Sequence, residues 1–483
     1  MRKPNNISAR LLTNRLRNGQ DVAFVFGDQY LSHEELWQRS RKAAAILLAQ
    51  GIRPRQNVLF VMDDALEWPI LFHALILIGA VPVVTMPTVD DAYLQHICSH
   101  VDIHHALGDA QRVASGAINT VGRIASDDVD STQGDMLPLH RIYEYHDLDA
   151  WIILTSSGTT SAPKLIVHRH RGLEEVFTRY NPFEFGPEHR VLCSVKMASS
   201  FGIIMNVLGA PAQGMQMVVL DTPGDYRDLV DIMDRHGVTH AMLTPRMIGF
   251  LLHHGQPRFN PELQHVYSTG ESLPLPMAQQ FLDRFGYTVY DSYGCGEVRG
   301  WALVINHKNN WRRGSLGVPA SPTICRIVND QGEDCSEGEI GELHVHHSNL
   351  AMAYAGDPEL SAARFQDGWY RTGDYVSRDY QGYLFYAGRR EQLVPTANGF
   401  FSCLDIENRI NQMPGVTDCV VLNSNEHGLE AFVMIHSAEA WTNVMHSGLS
   451  DQVTWYWVDQ LPVTGTNKKL RQRDQLMSHV IKP

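Results

Sequence analysis

No CxxC pair occurs among the seven cysteines, and the nearest two, Cys325 and Cys335, lie ten positions apart. That spacing excludes zinc knuckles and thioredoxin-type motifs, and an odd cysteine number in a long chain reads as reduced thiols rather than a disulfide framework. Charge is sparse as well. Charged residues make up 19% of the 483, and 40 Lys+Arg against 53 Asp+Glu leave a formal charge of −13. With no Lys/Arg block, a nucleic-acid partner is excluded, because affinity for that backbone comes from clustered cations. Any anionic ligand must be small and locally cradled. Long apolar runs are missing too. The nearest approach, Trp68 to Pro87, is broken by Pro69, His73, Gly79 and Pro82, so it predicts a buried helix, a turn at Gly79 and a buried Val-rich strand instead of a membrane span. The opening MRKPNNISARLLTNRL has no secretory h-region, which makes a cytoplasmic location the expectation.

What is present is alternation. VAFVFG, SHEELWQRSRKAAAILLAQG and NVLFVM read as strand, helix and strand, and GMQMVVLDTPGDYRDLVDIMDRHGVTHAMLTP repeats the pattern, which predicts parallel α/β layers. Ser32 and Glu35 form a capping box at one helix start, and Gly51 closes that helix. Beyond about Gly300 the texture changes to short strands with Gly and Asp turns, as in GEIGELHVHHS and DYQGYLFYAG, so an antiparallel region follows the parallel one. A chain of this length needs more than one core. The polar stretch Gly388-Arg389-Arg390-Glu391 is the natural boundary, dividing a large domain, 1–388, from a small one, 389–483.

The segment richest in chemistry is LTSSGTTSAPKLIVHRHR, Leu154 to Arg171. Thr155, Ser156, Ser157, Gly158, Thr159 and Thr160 are all small or hydroxyl-bearing, and Lys164 follows. Small side chains let backbone N–H groups reach phosphate oxygens, hydroxyls add donors and a lysine adds charge. No Walker pattern is present, so the reading is a polyphosphate loop of another kind, with a solvated hairpin turn as the alternative. The histidine pattern in ELHVHHS places His344 and His346 on one strand face. Without a third ligand at fixed spacing these are not read as a metal site.

SSGTTSAPK closely resembles the signature loop of the acyl-adenylate-forming superfamily, which includes acyl- and aryl-CoA synthetases, nonribosomal peptide adenylation domains and luciferases. Further segments match in the family's order over essentially the whole chain: STGESL at 268–273, DSYGCGE at 291–297, YRTGD at 370–374 and LPVTGTNKKLR at 461–471. The resemblance implies a large N-terminal α/β domain with a β-rich section and a small, mobile α+β C-terminal lid. It assigns Gly270 and Glu271 to the backbone around adenine, Tyr293 to stacking on the base, Glu297 to Mg²⁺, Asp374 to the ribose hydroxyls and Arg389 to a second ribose or phosphate contact. Lys468 becomes the lysine that bridges the carboxylate and the α-phosphate in the adenylation transition state, and Glu391 the hinge. Its neighbour Lys469 is expected to be solvated and its replacement nearly silent.

The implied reaction activates a carboxylic acid with ATP to acyl-AMP and pyrophosphate, then transfers the acyl group to a pantetheine thiol of CoA or a carrier protein. Amino-acid-activating members usually place an Asp in the segment that here reads CSVKMASSFG, 193–202. None is present, and an unpaired ammonium in an apolar pocket is costly, so the resemblance is closest to aryl (benzoate-type) and short acyl acid ligases. Lys196, Phe201, Gly202, Tyr267 and Val266 are the pocket candidates. The chain departs from the family pattern at Gly296, where Thr is usual, at Glu391, Pro395 and Asn398, and at Asn467 in a Gly place. These departures motivate the second reading, a degenerate homologue that binds nucleotide or a partner without turnover.

Overall fold

The computed structural model describes all residues except 1–4, 15–18, 117–121, 157–162, 221–227, 255–258, 300–301, 397–398, 425, 436, 447–452, 464–468 and 483. Two large sheets carry the first two thirds of the chain. One has seven strands, and its central members Val81–Val84, Asn57–Val61, Ile103–Gly108 and Ala150–Thr155 are parallel. The other has nine, with a parallel run through Val22–Phe26, Gln216–Val219, Arg190–Cys193, His240–Leu243, His265–Ser268 and Val289–Tyr293. The alternating strand and helix pattern produces this layering because parallel neighbours require crossover connections. A single core draws on both sheets, with Phe60 and Trp151 from one and Phe24, Met217 and Met242 from the other.

The apolar stretch behaves as its breakers dictate. Glu67–Leu77 is a helix buried on every side from Trp68 onward, and Val81–Val84 is a fully buried strand. Between them Gly79 has φ +77, and a Cβ there would sit 2.3 Å from the Tyr143 ring, so glycine is required. No helix among the described residues is long and apolar enough to cross a membrane. The Ser32–Glu35 capping box is present at the start of His33–Ala49.

Past the nine-stranded sheet the chain turns antiparallel: Ile324–Val328, Gly341–His346, Trp369–Arg378 and Leu384–Arg389 pair in succession. Beyond Leu393, two hydrophobic clusters are built wholly from later residues, around Cys403, Ile406 and Trp455 in one case and Phe432 and Leu476 in the other. They flank a four-stranded sheet that begins with Val416–Ser424 and Gly428–Ile435. All seven cysteines are free thiols.

Candidate active site

The functional loops leave the carboxyl ends of parallel strands, where an open α/β sheet presents its crevice. Ala150–Thr155 ends at the Ser/Thr-rich loop, Arg190–Cys193 at the Lys196 segment, His265–Ser268 at Gly270-Glu271, and Val289–Tyr293 at Glu297. The Ser/Thr-rich loop closes a hairpin, with Thr155 opposite Leu165 in the antiparallel pair. Both stems are clamped. Ser156 N–H donates to the Lys164 carbonyl, Lys164 N–H donates to Ser156 Oγ (both 2.9 Å), and the Tyr93 hydroxyl donates to the Ser156 carbonyl. Ser157, Gly158, Thr159 and Thr160 lie outside the described residues.

Three strands meet at Asp374, which is 3% exposed. One carboxylate oxygen accepts the Tyr293 hydroxyl at 2.6 Å; the other accepts the Tyr386 hydroxyl at 3.1 Å and the Arg389 Nε at 2.6 Å. The strand register places Asp374 directly opposite Arg389, so pairing of Trp369–Arg378 with Leu384–Arg389 builds the ion pair into the sheet. Burial, then the Asp374 charge, push the Tyr293 phenol well above its ordinary range, so it stays a proton donor. Arg389 is raised: burial works against its charge, and Asp374 together with Tyr386, Tyr293 and Tyr370 outweighs burial.

Glu297 is also buried, and one of its oxygens accepts the Tyr354 hydroxyl at 2.9 Å. The Lys164 ammonium lies 5.4 Å from the Tyr354 ring centre. Burial lowers that ammonium; Glu297 opposes the shift, and Arg364 and Arg389 add to it. Lys164, Glu297, Asp374 and Arg389 therefore share one electrostatic neighbourhood. The backbone before Glu297 is fixed by His168, whose Nε2 lies 2.8 Å from the Gly296 carbonyl. Burial, then Arg299, hold this imidazole well below its usual range, and a carbonyl partner requires the Nε2–H tautomer. A hard carboxylate oxygen at Glu297 beside a cation-bearing loop suits Mg²⁺ with phosphate. Among the described residues no group of three or more His, Cys, Asp or Glu could hold a metal by itself.

The segment 196–202 is held from a distance. Lys196 Nζ pairs with Asp63 at 2.7 Å, and Met197 N–H donates to Asp64. Both acids follow the strand Asn57–Val61, so carboxylates that the segment itself lacks reach it from another strand. Burial pushes Asp64 up to about 6. A Cβ on Gly202 would fall 1.9 Å from the Lys196 carbonyl, which explains a glycine here. Phe201 is partly buried against the main core. Val266 is fully buried in the smaller core of the nine-stranded sheet. Tyr267 is fully buried, its hydroxyl 3.0 Å from His307 Nδ1 and its ring among Phe183, His240 and Tyr290.

The C-terminal loop corrects one expectation. Lys469 is not solvated: its Nζ pairs with Asp418 at 2.5 Å and donates to the Cys419 carbonyl. Its backbone N–H donates to Glu271 Oε1 at 2.7 Å, tying the last part of the chain to the Gly270-Glu271 turn. Two residues on, Arg471 makes a two-pronged bond to Glu407 at 2.5 and 2.9 Å. Lys468 and Asn467, like Asn398, fall outside the described residues. Glu391 lies exposed in the single turn Arg390–Gln392. The Arg390 beside it is packed over the Phe400 ring at 4.2 Å. Reading the sequence missed Tyr354 and Tyr386, since neither sits in a motif. Tyr386 carries a faint signal, three residues before Arg389 on the same short strand.

The family model for AMP-binding enzymes matches residues 13–355. The chain is similar to the 3-hydroxybenzoate–CoA ligase of Aromatoleum sp. (strain CIB), 28% identical across 94% of this chain and 93% of that protein. It is also similar to the 3-hydroxybenzoate–CoA/4-hydroxybenzoate–CoA ligase of Thauera aromatica, at 25% across 95% of each. Among solved structures, an anthranilate CoA ligase in complex with anthranoyl-AMP superposes with a TM-score of 0.87 at 21% identity, covering 99% of this chain and 98% of that one. A benzoate CoA ligase from Burkholderia xenovorans LB400 superposes at 0.86 and 20%, covering 98% and 99%.

Proposed function

The chain belongs to the AMP-binding enzyme family, and from that premise we propose that it activates an aryl or small acyl carboxylic acid with ATP and passes the acyl group to the thiol of CoA. A carboxylate oxygen attacks the α-phosphorus; that O–P bond forms, the bond to the β-phosphate oxygen breaks, and pyrophosphate leaves with the electron pair. The thiol then attacks the acyl carbon, its proton is lost, and AMP departs. Adenylation supplies the leaving group that a free carboxylate lacks.

The observation that carries the reading is Asp374. Its two oxygens already accept two phenolic O–H donors, one each, which is the donor set that a vicinal ribose diol would offer. Ribose hydroxyls replace Tyr293 and Tyr386 like for like, and the freed Tyr293 ring turns to the base. Lys164 meets the outer phosphates, with the 155–160 loop around them, and Arg389 stays on Asp374 and the ribose edge. Glu297 holds Mg²⁺, which when bound neutralises phosphate charge. Gly270 and Glu271 back the adenine. Lys468 stabilises charge that develops during attack. Its neighbour Lys469 is bonded to Glu271, which favours a lid seated for adenylation. The division at 388/389 makes residues 389–483 that lid, with Glu391 as hinge for the turn that admits the thiol. Lys196, Phe201, Gly202 and Tyr267 border the acid. CoA is favoured over a carrier protein because the relatives matched end to end are CoA ligases.

The test is ATP–pyrophosphate exchange dependent on added acid. Exchange with benzoate-type or short acyl acids and not with α-amino acids supports the reading; exchange with a proteinogenic amino acid alone overturns the substrate class.

A further inference from the structure

Arg299 is fully buried, two residues beyond Glu297. Its Nη1 donates to the Ser200 hydroxyl and carbonyl at 3.2 and 3.4 Å. Its Nε and Nη2 have no hydrogen-bond partner, and no carboxylate pairs with it among the described residues. The guanidinium lies 5.5 Å from the centre of the Trp151 ring. Leaving a buried charge unpaired is among the most costly arrangements in a folded protein, and sites that bind ligands are where such costs are kept.

The pattern of what is free is specific. In an arginine, Nε–H and the Nη2–H on the same side point in parallel and form the side-on fork that grips both oxygens of a carboxylate. That fork is the part left without a partner, while the remaining nitrogen is engaged by Ser200. Around it, Trp151 Nε1 and the Asn349 side-chain amide also lack partners, and the Asn349 carbonyl accepts the Arg299 N–H. The location ties the group to the acid. Ser200 opens the Phe201-Gly202 segment, and its Oγ is 3.9 Å from where a Cβ of Gly296 would stand, one residue before Glu297.

We propose that Arg299 is the specificity-determining residue for the acid, and that the acid carries a second carboxylate, bound side-on by the free Arg299 fork with Ser200 holding the guanidinium in place. This rests on the acid-activating reading above. It narrows the substrate from aryl or small acyl acids to dicarboxylic ones. A neutral ring substituent would satisfy the hydrogen bonds and leave the charge uncompensated, so a hydroxyl is the weaker partner.

The experiment is pyrophosphate exchange on the full chain with matched acids: benzoate, 3-hydroxybenzoate and benzene-1,3-dicarboxylate, and propionate against succinate. In at least one series the diacid is expected to exceed its monoacid in kcat/KM by about tenfold or more, as for a site built around a buried polar contact. Arg299→Met should collapse that ratio to about one or invert it, Arg299→Lys should restore it in part because an ammonium cannot form the fork, and the Met variant should melt no lower than the wild type. A purely structural arginine would instead lower the melting temperature and reduce exchange with every acid equally. Preference of the wild-type chain for benzoate or 3-hydroxybenzoate, with both diacids inert, overturns the proposal while leaving the acid-activating reading intact; that outcome needs no variant to fold. Exchange with no acid at all removes both.

Discussion

Asp374 and Arg299 are both buried charges at the same crevice, and the protein treats them in opposite ways. Asp374 is surrounded: two phenols and a guanidinium occupy its oxygens. Arg299 has one nitrogen engaged and its carboxylate-shaped edge free. The difference teaches where ligand identity is set. At the nucleotide end a ligand must exchange with groups that already resemble its own hydroxyls, so the site is held in shape without it. At the acyl end the ligand must bring the missing charge.

The comparison breaks hardest at Asp374. Asp374→Ala leaves the Tyr293 and Tyr386 hydroxyls without their acceptor and removes the counter-charge of the half-exposed Arg389, a cost of about 1–3 kcal/mol. Denaturant unfolding should show that loss and calorimetry should show ATP binding abolished; an unchanged ATP affinity would remove Asp374 from the site. Next come the paired lysines. Lys468→Ala should lower acid-dependent exchange by on the order of 10²–10³ with no change in melting, the range seen when one charge-stabilising donor is lost. Lys469→Ala should do the reverse first: Asp418 loses its partner, melting falls by an amount equivalent to about 1–3 kcal/mol after discounting for partial exposure, and exchange falls only as the contact with Glu271 loosens. Equal effects on both measurements from both variants would mean that the two lysines are not divided into anchor and catalyst.

A pH experiment sharpens the picture of the turn beneath Asp374. Glu342 accepts the Gly373 N–H and pairs with Arg364 and Arg371. Burial raises its pKa, yet bonds from His344 and Arg371 outweigh burial and bring it from 4.5 to about 2. A folded-state pKa below the unfolded one contributes stability that is complete above about pH 4.5 and is lost as pH falls toward 2, on the order of 3 kcal/mol. Stability measured between pH 6 and 2 should decline across that window in the wild type and decline less in Glu342→Gln. The smallest effect is expected at Gly296. A Cβ there meets the flexible end of Ile166 at 3.0 Å, so Gly296→Thr should cost about 1 kcal/mol or less; a rise in exchange rate would show that a hydroxyl at this position still has a use.

Much of this was legible along the chain because it is local. The capping box at Ser32, the buried helix from Glu67 with its Gly79 turn, and the change to antiparallel strands all depend on residues within one or two turns of each other. So do the loops at Thr155, Gly270, Tyr293 and Asp374, whose composition announces them. What stayed hidden joins residues far apart in sequence. Tyr354 reaches back to Glu297, Lys469 reaches Asp418 and Glu271, and Asp63 and Asp64 supply acid to the Lys196 segment. No spacing rule links such pairs. Lys469 in particular reads as solvated beside another lysine, and it is the fold of the last sheet that buries it. Arg299 was invisible for the opposite reason, since its importance lies in contacts that it does not make.

Acid-dependent ATP–pyrophosphate exchange tests the central claim most directly. With benzene-1,3-dicarboxylate, succinate, benzoate and an α-amino acid panel, the account predicts label entering ATP only when a non-amino carboxylic acid is present, with AMP and pyrophosphate as the products in the presence of CoA. Release of ADP, or no exchange with any acid while ATP still binds, would contradict it.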